Sequence, residues 1–262
     1  MNRFDFSGVS TEGLAQSKEI EAAFAGFTRH GYAILDNVVP EETIRSMHAE
    51  FFERYKDQIR DQEAADSLEV GARRFMIPLH FSGALGAPLV FANPYVLALV
   101  RMILDNEAII DAFGAILSLS GAEDQHIHHD GPILFNSEIS RLLPTYALTF
   151  GLPLIEMNDL SGTTAIWPGS HRRGSHEGHE PERPKIPIGS CVLWDYRTYH
   201  SGTSNQSNHV RPMVYATYAR RWYQDPVNFR KETLPRLVFE PDFLRSVPDD
   251  LRPLFAHVRS AG

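Results

Sequence analysis

The stretch QHIHHDGP at 125–132 puts three histidines and an aspartate into five consecutive positions, between the mostly apolar LSLSGAE and ILF. Imidazole and carboxylate side chains in such density are the ordinary ligand set of a first-row transition metal. In an extended strand, His126, His128 and Asp130 share one face, while Gln125, Ile127 and His129 share the other. Neighbours on a face then lie ~6.6 Å apart and the outer pair ~13 Å, from a rise of ~3.3 Å per residue. His126 and Asp130 therefore cannot reach one ion. Two candidate pairs stay open, His126/His128 and His128/Asp130, and Gly131–Pro132 ends the strand directly after the second.

A His-x-Asp tripeptide is a weak pattern alone, and its weight comes from a distant partner. The apolar run IPIGSCVLWDY leads into RTYHSGTSNQSNHVRPMVYATY, with His200 at the end of one strand and Arg211 at the start of the next. Two histidines and one carboxylate on one side of an ion, with the other side open, form the facial triad of non-haem Fe(II) oxygenases. His128, Asp130 and His200 supply that set. The planar fork of Arg211 is suited to gripping a carboxylate at two points, and alternation turns Met213, Tyr215 and Thr217 inward with it. His209 and Arg220 repeat the same spacing, but His209 lies in a Ser/Asn-rich loop with no strand leading into it.

The elements that must position these residues fall into two textures. Helical spacing runs from Leu14 to Arg29 and stops at His30–Gly31, followed by a short strand YAILDNVV (32–39) and a helix over PEETIRSMHAEFFERYKDQI. A strand at ARRFMIPL and a helix over Pro94–Leu104 complete the preface. From Glu107 the chain changes to short apolar or alternating runs: AIIDAFGAILSL, QHIHHD, TYALTFGLPLIEM, TTAIW, KIPIGSCVLWDY and PMVYATYARRW. That pattern predicts an antiparallel sandwich or barrel with helices on one side. A single domain over 1–262 is expected, with a helix and strand preface at 1–105, a barrel core at about 106–223 and a tail at 224–262. The tail, with helical patterns PDFLRS and PDDLRPLFAHV, either covers one end of the barrel or forms a subunit contact, as in a homodimer.

A hydrophobic fraction of 43% allows a large core, so the chain is globular. The formal net charge of −8 is scattered, which argues against nucleic acid as a partner. One cysteine, Cys191, excludes an intrachain disulfide and fits a reducing compartment. No signal pattern or membrane-length apolar run is present, so no membrane association and a cytoplasmic location are expected.

With QHIHHD, the turn WPGSH (167–171), His200, Asn205 and Arg211 together, the chain resembles the phytanoyl-CoA dioxygenase-like family of Fe(II)/2-oxoglutarate oxygenases. The opening GYAILDNVVPEETI is also similar to that family's N-terminal region, and the likeness covers roughly residues 20–225. The resemblance implies a mainly β protein with flanking helices around a double-stranded β-helix (jelly-roll, cupin-like) core. It further implies one Fe(II), held by His128, Asp130 and His200, and oxidation of a small organic molecule as 2-oxoglutarate and O₂ yield succinate and CO₂. Arg211 would bind the distal carboxylate of 2-oxoglutarate, and Tyr146 and the pair Arg73/Arg74 fall where relatives often place co-substrate contacts. His129 stands where relatives often have Gln, which leaves its role open. Asp130 is intact, whereas related halogenases carry a small residue there, so hydroxylation or another oxidation is expected.

Other features have plainer readings. The loop HRRGSHEGHEPERP (171–184) holds His171, His176 and His179 but no element to fix ligands, and is expected to be a mobile surface lid rather than a second metal site. Trp167, Trp194 and Trp222 are expected in the core before a substrate pocket, and Cys191 as a small buried hydrophobe. The competing functional classes are a same-fold protein that binds a metal or small ligand without turning over 2-oxoglutarate, and a cupin-like metal isomerase, which would not need Arg211.

Overall fold

The computed structural model describes residues 1–60, 67–228 and 235–258. Its preface follows local sequence signals. After a short edge strand β1 (Arg3–Asp5), helix α1 (Lys18–His30) starts where the Ser17 hydroxyl accepts from the Ile20 amide at 3.2 Å. It stops at Gly31, whose φ of 79° closes the helix in the left-handed region that glycine tolerates. Strand β2 (Tyr32–Asp36) is shorter than the run 32–39, and the helix expected over 40–59 is divided at Tyr55 into α2 (Glu41–Arg54) and α3 (Lys56–Arg60). Strands β3 (Leu68–Gly71), β4 (Arg74–Pro78) and β5 (His80–Phe81) follow, then α4 (Pro88–Phe91) and α5 (Pro94–Leu104). The Asn93 side chain caps α5 by accepting from the amides of Tyr95 and Val96.

The strand-rich half contains β6 (Ile109–Ser118), β7 (Ala147–Pro153), β8 (Thr164–Ile166), the single turn α6 (Ser170–Arg173), β9 (Cys191–Asp195), β10 (His200–Gly202) and β11 (Arg211–Ala219). In the tail, β12 (Val238–Phe239) and α7 (Phe243–Ser246) are described, whereas 229–234 and 259–262 lie outside the described residues.

Eight strands form one mixed sheet in the order β1-β2-β9-β7-β11-β6-β4-β3, parallel only between β1 and β2. Facing it is a small sheet of β8 and β10, extended by an isolated bridge between His128 and His200. This is the jelly-roll architecture, but it is not a closed barrel. Among the described residues, the three-residue strands β8 and β10 have each other as strand partners and do not join the large sheet, whose outer strands are β1 and β3. A second difference concerns QHIHHD, which is not a strand: it runs beside β10 through the bridge at His128 and through Gln125, whose amide donates to the Gly202 carbonyl at 2.9 Å.

Alternation divides the large sheet cleanly. Phe75, Ile77, Phe113, Leu117, Phe150, Leu193, Val214 and Tyr218 point into the main apolar core, against Phe27 of α1, Met47 and Phe51 of α2, and Val96 and Val100 of α5. Arg74, Met76, Ile116, Thr149, Trp194, Arg211, Met213, Tyr215 and Thr217 point the other way and line a cavity of about 580 Å³. Tyr215 is flanked on its two neighbouring strands by Gly114 and Gly151. A Cβ at Gly114 would come within 2.7 Å of the Tyr215 hydroxyl, so glycine there makes room for the ring. The tail closes the far side of the core: Phe239, Phe243 and Phe255 pack on Phe81, with ring centroids 5.0–5.3 Å away.

Candidate metal centre

His128 and His200 are joined by reciprocal backbone bonds, His128 amide to His200 carbonyl at 3.0 Å and the reverse at 2.8 Å. This bridge brings their rings to 4.4 Å between centroids. Asp130, two residues beyond, places Oδ1 3.3 Å from His200 Nε2. One ligand atom from each of the three lies within 4.8 Å of the others, and no further such group of His, Cys, Asp and Glu occurs among the described residues.

The donor set suits a divalent metal. His128 Nδ1 is bonded to the His126 carbonyl at 2.9 Å and His200 Nδ1 to the Thr198 carbonyl at 3.0 Å. A carbonyl can only accept, so each Nδ1 donates a proton there, and Nε2 is left as the ring atom that can ligate, as His200 Nε2 faces Asp130. Burial and then the neighbouring His200 push the His128 pKa down to about 4, which leaves its imidazole neutral and ready to ligate at ordinary pH. Burial would raise Asp130, but His200, through charge and hydrogen bond, holds it below the ordinary carboxylate range. His200 itself is buried, which opposes charge, yet Asp130 raises its pKa overall. A cation between them would take over the role that this ion pair plays.

Asp130 is fixed on several sides. Thr149 Oγ1 and Trp194 Nε1 both donate to its Oδ2, at 2.5 and 2.7 Å. Its backbone carbonyl accepts from Asn228 Nδ2 at 2.6 Å, and the same amide group donates to Asp225 Oδ2 at 2.7 Å. Asp225 is fully buried, and its carbonyl accepts from Arg236, which also pairs with Asp111.

In the same cavity, strand register sets Arg74 and Arg211 on either side of Ser118. Both are buried, at 1% and 4% exposure, and the charges that act on them are Asp124 on Arg74 and Arg74 on Arg211. Arg211 Nη1 donates to the Ser161 carbonyl at 3.3 Å, and Arg74 Nη2 to the Glu123 and Thr203 carbonyls. Arg211 Nε and Arg74 Nε and Nη1 are left without partners. Burial, reinforced by Arg74, lowers the Arg211 pKa to about 9, and burial lowers Arg74 to about 10 despite Asp124. Two desolvated guanidiniums with unspent donors form a receptor for an anion.

The remaining expected residues divide. Arg73 is not in the cavity. It sits at the β3–β4 turn with φ 56° and donates Nε to the Ser120 carbonyl at 2.7 Å, so alternation along β4 sends Arg74 inward instead. Tyr146 is buried, with its hydroxyl donating to the Pro132 carbonyl at 2.6 Å and its ring under Arg197, and does not line the cavity. His129 does line it, while its Nδ1 bonds the Gly131 carbonyl and its ring meets Tyr199 edge-on. His126 borders the cavity outside the ligand group. The rival register places Arg220 away from the cavity, paired with Asp105, and the His209 carbonyl accepts from Asn205. Nor is the 171–184 loop a free lid: His171 is buried, Trp167 donates to the His179 carbonyl, and Glu182 is bridged to Ile166. The sequence did not single out Thr149 or Asn228. Thr149 was open to detection through its parity with the apolar residues of TYALTFGLP, whereas Asn228 follows the last strand and carries no local signal.

A family model described as phytanoyl-CoA dioxygenase matches residues 27–213, more than half of the chain. The chain belongs to this family. It is accordingly an Fe(II)/2-oxoglutarate-dependent enzyme, and the cavity described above is where this fold brings the ligand-type side chains together. Among solved structures, the chain is similar to the non-haem α-ketoglutarate-dependent epimerase SnoN from nogalamycin biosynthesis. The match has 18% identity and a TM-score of 0.60, covering 85% of this chain and 96% of that one. A second structure of SnoN, in complex with Fe³⁺, α-ketoglutarate and nogalamycin RO, matches with 17% identity and a TM-score of 0.61 over the same shares. At that identity the likeness is one of fold. No helix among the described residues is long and apolar enough to cross a membrane.

Proposed function

We propose that this phytanoyl-CoA dioxygenase family member oxidises, and most simply hydroxylates, a small organic molecule. In this reading His128, Asp130 and His200 hold Fe(II), and Arg211 grips the far carboxylate of 2-oxoglutarate with Arg74 beside it. The observation that carries the reading is the pairing, in one cavity, of a three-ligand cluster with two buried guanidiniums whose donors are unspent. Iron with 2-oxoglutarate and O₂ supplies the oxidising power, and 2-oxoglutarate leaves as succinate and CO₂.

The chain's own contribution is placement. Three ligands on one side leave the opposite side facing the cavity. The arginine pair fixes a dianion by its remote end, so its reactive end has one direction in which to lie. Met76, Ile116, Met213 and Trp194 wall this space with apolar surface, which limits water near the metal. A cavity of about 580 Å³ is in the ordinary range for small-molecule sites and leaves space for a second organic molecule beside the co-substrate.

A second outcome is stereochemical inversion, favoured by the fold shared with a protein described as an epimerase. Both outcomes need the same cluster and arginines. The experiment is anaerobic titration of the Fe(II)-loaded protein with 2-oxoglutarate, followed by O₂ and measurement of succinate. A visible charge-transfer band and succinate release that both vanish in His128→Ala support the reading. Fe(II) binding without succinate release would instead leave standing the same-fold protein that binds a metal or small ligand without turning over 2-oxoglutarate. His126→Ala is expected to retain iron; its loss there, with Asp130→Ala unaffected, would transfer the site to the other histidine pair.

A further inference from the structure

Asp130 uses its two carboxylate oxygens differently. Oδ1 lies 3.3 Å from His200 Nε2, on the side of the ligand cluster. Oδ2 receives both the Thr149 hydroxyl and the Trp194 indole N–H. These donors stand side by side because Thr149 on β7 and Trp194 on β9 are direct cross-strand partners, with side chains on the same face of the sheet. Both are buried, at 7% and 3% exposure, at the wall of the cavity. A buried indole N–H requires an acceptor, and Oδ2 is the one it has here.

We infer that Thr149 and Trp194 are positioning residues that commit one oxygen of Asp130 to the fold and present only the other to the metal. The inference rests on the ligand assignment proposed above. Its physical content is geometric. An unrestrained carboxylate next to a divalent ion can rotate and bind through both oxygens, taking a coordination position that a chelating co-substrate needs. With two donors on Oδ2, that rotation breaks two hydrogen bonds from buried groups, both charge-assisted by the carboxylate that accepts them. The sheet face thus decides how many positions the metal keeps open. An ordinary core role for Trp194 would need its ring and not its N–H, and an ordinary strand role for Thr149 would be met by any β-branched residue.

The test uses substitutions in the whole chain. Thr149→Val removes the hydroxyl donor at constant shape, Trp194→Phe removes the indole N–H while keeping one aromatic ring, and Thr149→Ser restores the hydroxyl. Metal-free protein is titrated with Mn(II), with free ion read by its paramagnetic resonance signal, and melting temperatures of the metal-free forms are recorded alongside. Thr149→Val and Trp194→Phe are each expected to weaken Mn(II) binding about tenfold or more, in the range typical of groups that orient metal ligands. Thr149→Ser should stay within about threefold of the parent, since it keeps the donor. The charge-transfer band of the anaerobic Fe(II)–2-oxoglutarate complex should shift in the first two variants and not in the third. Parent-like Mn(II) affinity and an unshifted band in both donor-deleted variants would overturn the inference while leaving the iron assignment intact. Equal losses in Thr149→Ser and Thr149→Val, accompanied by lowered melting of the metal-free protein, would assign the effect to packing and also overturn it. Parent-like binding in Asp130→Ala would instead remove the ligand assignment on which it rests.

Discussion

The two faces of the large sheet are built from the same strands and have opposite chemistry. On one side Phe113, Phe150, Val214 and Tyr218 are sealed by α1, α2, α5 and the phenylalanines of the tail, and the Tyr218 hydroxyl among them donates to the Phe91 carbonyl at 2.6 Å. On the other, Arg74, Arg211, Thr149 and Trp194 surround a cavity in which guanidinium nitrogens lack partners. The first face supplies stability and the second carries its cost: unpaired buried donors are unfavourable until a ligand meets them. Residues one position apart on a strand therefore answer to different demands, and substitutions should divide by parity, not by neighbourhood.

The largest expected effect is on the cavity face. Asp130→Ala or His200→Ala should cut 2-oxoglutarate turnover by ~10³-fold or more, equivalent to ~4 kcal/mol at 1.36 kcal/mol per decade. The melting temperature of the metal-free protein should change little; a collapse of the fold in both would break the division between faces. Next is Phe150→Ala on the core face, expected to cost about 3–5 kcal/mol of stability as a cavity-creating change. Chemical denaturation measures that loss, and Mn(II) affinity of the remaining folded protein should match the parent.

Arg211→Ala should weaken 2-oxoglutarate binding about thirtyfold or more, from ~2–5 kcal/mol for truncating one member of a buried charge pair. It should leave iron content unchanged, and Arg211→Lys should fall between the two because it keeps the charge but not the fork. The smallest comparison sharpens the parity argument most. Arg74→Met is expected to weaken 2-oxoglutarate binding about tenfold through a lost charge-assisted contact. Arg73→Met, one residue away and outside the cavity, should stay within about twofold, as surface changes do. Equal losses at the two positions would mean that charge near the site, not direct contact, governs affinity.

Much of this arrangement was legible in the sequence, and the parts that were not have a common cause. Period-2 alternation and the cap at Gly31 are local signals, so α1, α5, β4 and β11 fell close to expectation. The grouping of His128, Asp130 and His200 was legible because a dense motif and its distant partner each stand out. The place of β1 and β3 as outer strands of the large sheet was not, since closure depends on which strands find partners across the sandwich. The choice between Arg73 and Arg74 turned on a single residue of register at a hairpin turn. Asn228 was invisible because a lone amide in an irregular segment acquires meaning only from what folds against it.

The ties on Asp130 also order events in time. Its neighbours Thr149, Trp194 and Asn228 are contributed successively along the chain, the last of them from beyond the final strand of the large sheet. A nascent polypeptide emerging N-terminus first has already exposed His128 and Asp130 long before these partners leave the ribosome. The full set of donors around Asp130 therefore exists only once the chain through residue 228 has been made.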